Sequence, residues 1–203
     1  MDAGTMLSMF YVIGLGNPGE KYANTRHNIG WLALDYVRGQ NSFSELVDSR
    51  QYSGRVAEGG VAGRPATVLY PDTFMNNSGS AVVKMVPRDE IDNLIVVHDD
   101  IALPFGEVRL GKGRGDGGHN GIKSIIEKLG SKDFVRIRIG IAPTGLFTGK
   151  VKRPAGGGPL ERFVLKRLSS KEVNKLEDTY LKVDEALSVI VKEGVEMAMN
   201  RFN

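Results

Sequence analysis

The chain contains no cysteine, which excludes disulfides, thiolate nucleophiles and cysteine-held zinc and suits a reducing compartment. It also lacks any apolar run near the roughly 18 residues that a membrane-spanning helix needs. The first ten residues have neither the basic start nor the long apolar stretch of a secretory signal. Excess charge is small: 27 Lys and Arg against 24 Asp and Glu leave +3, compatible with a nucleic-acid partner but weak evidence for one. No internal repeat is visible, and Gly156-Gly157-Gly158 is the only low-complexity patch. The Gly-x-Ser-x-Gly elbow of serine hydrolases is missing too, so attack by activated water is more natural than a covalent intermediate.

What is present fits one domain over residues 1–203, with 1–8 expected to be disordered. Phe10 to Ile13 is a short apolar strand, followed by a loop rich in Gly, Pro and Asn up to Asn28. An apolar face at helical spacing starts near Ile29. Gly54–Glu58 and Ala66–Tyr70 read as a hairpin across the turn Gly59–Gly63. Ala81–Val86 is a helix stopped by Pro87. Leu94–Val97 is a buried strand with Asp99 and Asp100 just past it, and Glu107–Leu110 a second short strand. Ile122–Leu129 is a helix closed by Gly130. Phe134–Ile139 alternates apolar and basic residues, as a strand with one polar face would. Residues 144–159, with Lys150, Lys152 and Arg153, are expected to form a mobile loop, either an ordinary flexible connection or one that acts as a lid or meets nucleic acid. Ser169 and Glu172 form a capping-box pattern before a long amphipathic helix to about Gly194. Interleaved strands and helices predict a three-layer α/β domain, its central sheet mixed but mostly parallel.

Two phosphate-binding signatures fail on inspection. Gly14-Leu15-Gly16-Asn17-Pro18-Gly19 has dinucleotide-loop spacing, but no apolar-periodic helix opens behind it to hold a pyrophosphate. Between Gly117 and Ser124, Ile122 separates Gly121 from Lys123, and a phosphate-binding loop needs glycine and lysine adjacent.

Polar residues gathered at strand ends are the more informative feature. His27 lies in a polar loop, where a histidine is ordinarily a surface residue. Asp99 and Asp100 lie where open α/β sheets place ligands; they either cap a turn or supply a carboxylate that makes a histidine a general base. Asn17, Asn76 and Asn120 sit beside glycines or strand ends and are either turn residues or amide donors to an oxyanion.

Taken in order, Gly14–Gly19, Tyr22, Thr25-Arg26-His27-Asn28, Phe74-Met75-Asn76, His98-Asp99-Asp100, Gly117-Gly118-His119-Asn120-Gly121 and Arg136–Gly140 resemble the bacterial peptidyl-tRNA hydrolase family, as does the terminal Met199–Asn203. The resemblance implies a metal-independent, cofactor-free cytoplasmic monomer. Such a protein hydrolyses the ester between peptide and tRNA and grips the acceptor stem and 3′ end. It implies His27 as general base polarised by Asp99, and Asn17 and Asn76 positioning the peptide and the water or oxyanion. Asn120 would hold water at the ester, and Tyr22 and Met75 would line a channel for peptide and terminal adenosine. Arg109 and Arg138 would clamp the tRNA 5′-phosphate. Ala102 departs from the family, which often has an acidic residue there. Three rivals remain: a non-enzymatic RNA-binding module, an esterase for small substrates, and a nucleotide-dependent dehydrogenase using Gly14–Gly19.

Overall fold

The structure, a computed structural model, describes residues 8–145 and 151–203. Strand β1 (Phe10–Gly14) leads through two short 3-10 turns (Glu20–Tyr22, Arg26–Asn28) into helix α1 (Ile29–Gln40). β2 (Val47–Ser49), β3 (Gly54–Val61) and β4 (Arg64–Pro71) follow, then α2 (Ser78–Met85). β5 (Leu94–Pro104), β6 (Val108–Lys112), α3 (Asn120–Leu129) and β7 (Val135–Ala142) come next, and α4 (Gly158–Val164), α5 (Ser170–Glu193) and α6 (Val195–Phe202) close the chain.

The described residues form a seven-stranded sheet in the order β2-β3-β4-β1-β5-β7-β6. Its centre, β4-β1-β5-β7, is parallel, and the β2-β3, β3-β4 and β6-β7 pairs are antiparallel. Alternation along each strand splits the apolar residues between two cores. Val12, Val68, Ile95, Val97 and Ile137 pack with residues of α1, α5 and α6; Ile13, Leu69, Val96 and Phe134 pack with α2 and α3. This is the expected three-layer mixed α/β domain.

Several boundaries move. The hairpin strands run to Val61 and from Arg64, closed by Ala62 (φ 53°) and Gly63 (φ 80°); positive φ at both positions matches the right-handed strand twist. β5 does not stop at Val97: Asp99 and Asp100 pair with Ile139 and Gly140 inside the ladder, and the register shifts only beyond Asp100. The basic alternation in β7 does not make a solvent face, because Arg136 is 4% exposed and spends its terminal nitrogens on the carbonyls of Arg114 and Gly115. β2 and α4 have no counterpart in the sequence reading. Of the expected loop 144–159, residues 146–150 lie outside the described residues, as do 1–7 of the expected disordered start. Thr144 and Val151 pair as an antiparallel bridge, and Gly158 and Pro159 already belong to α4.

The glycines of the first loop serve packing. A Cβ on Gly16 would stand 2.6 Å from the Trp31 ring, and one on Gly14 2.8 Å from the Gly30 carbonyl. They let α1 lie against the end of β1, and the segment after Gly19 forms a three-residue 3-10 turn, not a phosphate-facing helix.

Candidate active site

At the carboxyl ends of the parallel strands, where such sheets place ligand sites, a cleft of about 700 Å³ opens. The turn after β1 supplies Asn17, the segment after β4 supplies Phe74, Met75 and Asn76, and β5 supplies His98, Asp99 and Asp100. The start of α3 supplies His119 and Asn120, and α4 forms a wall with Leu160, Glu161 and Val164.

His27 is 8% exposed and Asp99 3%, so His27 is not the surface residue its loop context suggests. Its Nδ1 lies 2.9 Å from Asp99 Oδ1. His119 Nε2 lies 2.9 Å from the same oxygen. Burial alone would push the Asp99 carboxyl up, but the two histidines outweigh it and hold it well below the usual carboxylate range. Asp99 is thus an acceptor only, and both ring nitrogens facing it must carry protons.

His119 reaches that state through α3, whose N-cap it is. Its Nδ1 accepts from the backbone N–H of Gly121 and Ile122, so its single proton must sit on Nε2. For His27, a proton on Nδ1 leaves Nε2 with a lone pair, the arrangement a general base requires. His98 is a third buried imidazole. Its Nδ1 donates to the Asp99 carbonyl at 2.7 Å, and its Nε2 is buried without a partner among the described residues. Burial and the neighbouring His119 push its pKa down to about 3, so it stands neutral.

Asn17 and Asn28 lock the first loop: Asn17 N–H donates to Asn28 Oδ1 at 2.9 Å, and Asn28 Nδ2 donates back to the Asn17 carbonyl at 3.0 Å. Asn17 Oδ1 accepts from Met75 N–H at 2.8 Å. The bond to Met75 fixes the amide's orientation and leaves both hydrogens of the Asn17 NH2 free to donate. Asn76 and Asn120 are exposed, while Met75 is 4% exposed. Tyr22 meets Phe74 edge-on at 6.4 Å at the mouth of the cleft. Arg26, next to His27, ties this segment to the far wall: it donates to the Lys166 carbonyl, pairs with Glu172 at 2.6 Å and stacks on Phe163.

His27, Asp99 and His119 place three ligand atoms within 4.8 Å of one another, a spacing a metal ion could use. The tautomers oppose it. A metal on His119 Nε2 would drive the proton onto Nδ1 and break both amide bonds at the start of α3; a metal on His27 Nδ1 would protonate the nitrogen a base needs free.

Asn17, Tyr22, His27, Met75, Asn76, Asp99 and Asn120 thus share one cleft. Arg109 and Arg138 do not line it; they border a second depression. Ala102 donates its N–H to Asp100 Oδ1 at 2.6 Å, so the turn after Asp100 is closed by backbone despite the missing acid. Sequence reasoning gave no role to His119, whose position at a helix start beside Asn120 was the available signal, nor to α4, whose Pro159 and the spacing of Leu160, Phe163 and Val164 mark a helix start.

The sequence profile of peptidyl-tRNA hydrolase matches residues 11–203. The chain belongs to the peptidyl-tRNA hydrolase family. A peptidyl-tRNA hydrolase of Syntrophotalea carbinolica is 40% identical over 197 residues, covering 96% of this chain and 97% of the relative. One from a Roseiflexus species is 41% identical, covering 96% and 86%. The crystal structure of peptidyl-tRNA hydrolase from Acinetobacter baumannii superposes with a TM-score of 0.82 at 28% identity, covering 99% of this chain and 97% of that one.

Proposed function

We propose that the chain hydrolyses peptidyl-tRNA in this cleft, cleaving the ester between peptide and terminal ribose and releasing tRNA for reuse in translation. The observation that carries the reading is the His27–Asp99 pair, with asparagine amides in the same cleft. His27 Nε2 takes a proton from water as the oxygen attacks the ester carbonyl, and Asp99 stabilises the imidazolium. Asn76 or Asn120 donates to the developing oxyanion; losing one such donor costs roughly 3 kcal/mol of transition-state stabilisation. The tetrahedral intermediate then collapses: the bond between the carbonyl carbon and the ribose oxygen breaks, and the His27 imidazolium returns its proton to that oxygen, giving free peptide acid and tRNA with no further reactant.

Asn17 supports a choice among substrates. Its Oδ1 is turned towards Met75 N–H, which leaves its NH2 as the group free to donate. A peptide carbonyl accepts that bond; the free ammonium of aminoacyl-tRNA, itself only a donor, finds no partner. Tyr22, Phe74 and Met75 form an apolar surface for the first peptide residues and the terminal adenosine. Arg109 and Arg138 belong to a phosphate contact beyond the cleft. Translation being the substrate's source, we assign the enzyme to the cytoplasm, as a monomer.

The test is single-turnover release from N-acetyl-aminoacyl-tRNA and from the matching aminoacyl-tRNA, with wild type and His27→Ala. Cleavage of the blocked substrate alone, reduced in the variant by on the order of a thousandfold, is expected. Unimpaired cleavage by the variant would remove His27 from its role; no cleavage by folded wild type that still binds tRNA would refute the hydrolase.

A further inference from the structure

The loop between β6 and α3 has little in its own sequence to fix its shape. Residues 113, 115, 117 and 118 are glycines. Gly113 (φ 69°), Gly117 (φ 62°) and Gly118 (φ 83°) lie in the left-handed region, and a Cβ on Gly115, Gly117 or Gly118 would meet nothing within 4 Å. A chain of this kind has many alternative conformations to lose on ordering. The loop nevertheless ends at an exacting point. His119 must bring Nε2 to 2.9 Å from Asp99 Oδ1 while it caps α3, and Asn120 follows it into the cleft.

The loop is held from within and from behind. From within, the Asp116 carbonyl accepts from His119 N–H at 3.0 Å, and Asp116 Oδ1 accepts from Gly118 N–H at 2.6 Å. From behind, Arg136 donates Nη1 to the Gly115 carbonyl at 2.6 Å and Nη2 to the Arg114 carbonyl. The backbone of Arg136 is paired with Val96 on one side and Gly111 on the other, so the sheet fixes its origin. Its guanidinium lies over the Phe134 ring at 4.8 Å. Arg136 is 4% exposed, its Nε has no partner, and among the described residues no acid lies at ion-pair distance, whereas Arg138 has Asp100. A buried cation without an acid is costly, and its terminal nitrogens are spent on two successive carbonyls of one loop. A planar fork holds two such carbonyls at a set separation, which an ammonium on a flexible stem does not.

We propose that Arg136 is a positioning residue for the reaction. By clamping the glycine loop to the sheet it sets where His119 meets Asp99, and Asp99 in turn orients His27. Asp116 is the link, since it follows the clamped carbonyls directly and bonds His119 N–H. The inference rests on the reading that His27 is the base of peptidyl-tRNA hydrolysis.

The experiment measures kcat and KM on N-acetyl-aminoacyl-tRNA for wild type, Arg136→Met, His119→Ala and the double variant. A further variant carries one extra glycine between Gly115 and Asp116, which leaves both bonds of Arg136 in place and slackens only the link to His119. Arg136→Met is expected to lower kcat roughly tenfold and to keep KM within about twofold of wild type. The double variant should be slower than His119→Ala by no more than about twofold, because the two residues act in series. The variant with the extra glycine should show the same loss of kcat with its urea midpoint unmoved, an outcome that a merely structural arginine would not produce. In protein labelled with 15N-histidine, the Nε2–H resonance of His119 should broaden or vanish in both loop variants, a readout that needs no substrate. Wild-type kcat in Arg136→Met or in the extra-glycine variant overturns the proposal, as do losses that multiply in the double variant. Should Arg136→Met fail to fold, the extra-glycine variant decides alone. Should wild type leave the substrate uncleaved, the reading of the activity falls, while the His119 resonance still judges the hold of Arg136 on that histidine.

Discussion

Replacing His98 by Phe tests the electrostatics of the site without touching the base. In the folded chain, burial and His119 push the His98 pKa down to about 3; in the unfolded chain it is near 6.5. Between those values the unfolded state binds the proton and the folded state does not, so this residue makes stability fall as pH falls. Above about pH 7 it contributes almost nothing; at about pH 5 the linkage integral for these two pKa values is about 2 kcal/mol against folding. Phenylalanine cannot titrate. It forfeits the bond from Nδ1 to the Asp99 carbonyl and removes the unpartnered Nε2, opposing effects of about 1 kcal/mol each. Neither varies with pH, so the difference of differences isolates the titration. Urea unfolding followed by the fluorescence of the single tryptophan, Trp31, gives the free energies if the slopes agree between the two proteins. From about pH 8 to about pH 5, wild type should lose about 2 kcal/mol more than His98→Phe. Parallel pH profiles would refute the argument, showing that the folded chain accommodates a charged His98.

Asp99→Asn keeps the shape but leaves two N–H donors facing a neutral amide. The turnover rate should fall by roughly 10²- to 10⁴-fold with unfolding midpoint little lowered, and a rate within a factor of about two of wild type would dismiss Asp99 as the partner of the base. Asn17→Asp replaces the NH2 by an acceptor while Met75 N–H keeps its bond; the ratio of blocked to free aminoacyl-tRNA cleavage should drop by about tenfold, and an unchanged ratio would place the discrimination elsewhere. Gly79→Ala drives a methyl into the Ser124 backbone where α2 and α3 touch; thermal and urea unfolding should show a loss of about 2–3 kcal/mol, and neutrality would mean the two helices can part.

The sequence conveyed some of this more readily than the rest, for physical reasons. β1, α1 and α3 were legible because their apolar period is strong and their ends carry local signals, such as Gly130 in the left-handed conformation (φ 69°). β2 was not: its three residues are mostly exposed and paired on one side only, so its existence depends on β3 and not on its own pattern. Arg136 misled because alternation shows which face a residue takes but not what covers that face; the loop carrying Arg114 and Gly115 covers it. The candidate site residues were readable as an ordered set of motifs, each weak alone, since residues such as Asn17 and Met75, 58 positions apart, meet only through the sheet.

What no motif conveys is that Asp99 serves two histidines through one oxygen. The two bonds are not equivalent. His119 is held from behind by the amides at the start of α3, so its tautomer is fixed by the fold. Among the described residues His27 has no such clamp on its ring, and the Asp99 carboxylate alone selects the tautomer that frees Nε2. A structural bond from His119 therefore holds Asp99 in place, and Asp99 in turn orients the base. Shortening His119 to Ala should thus slow turnover through misplacement of Asp99 while the chemistry of His27 persists, whereas His119→Gln, which can still donate to Oδ1, should restore most of the rate. Equal losses in both variants would mean that the imidazole of His119 itself takes part in the reaction.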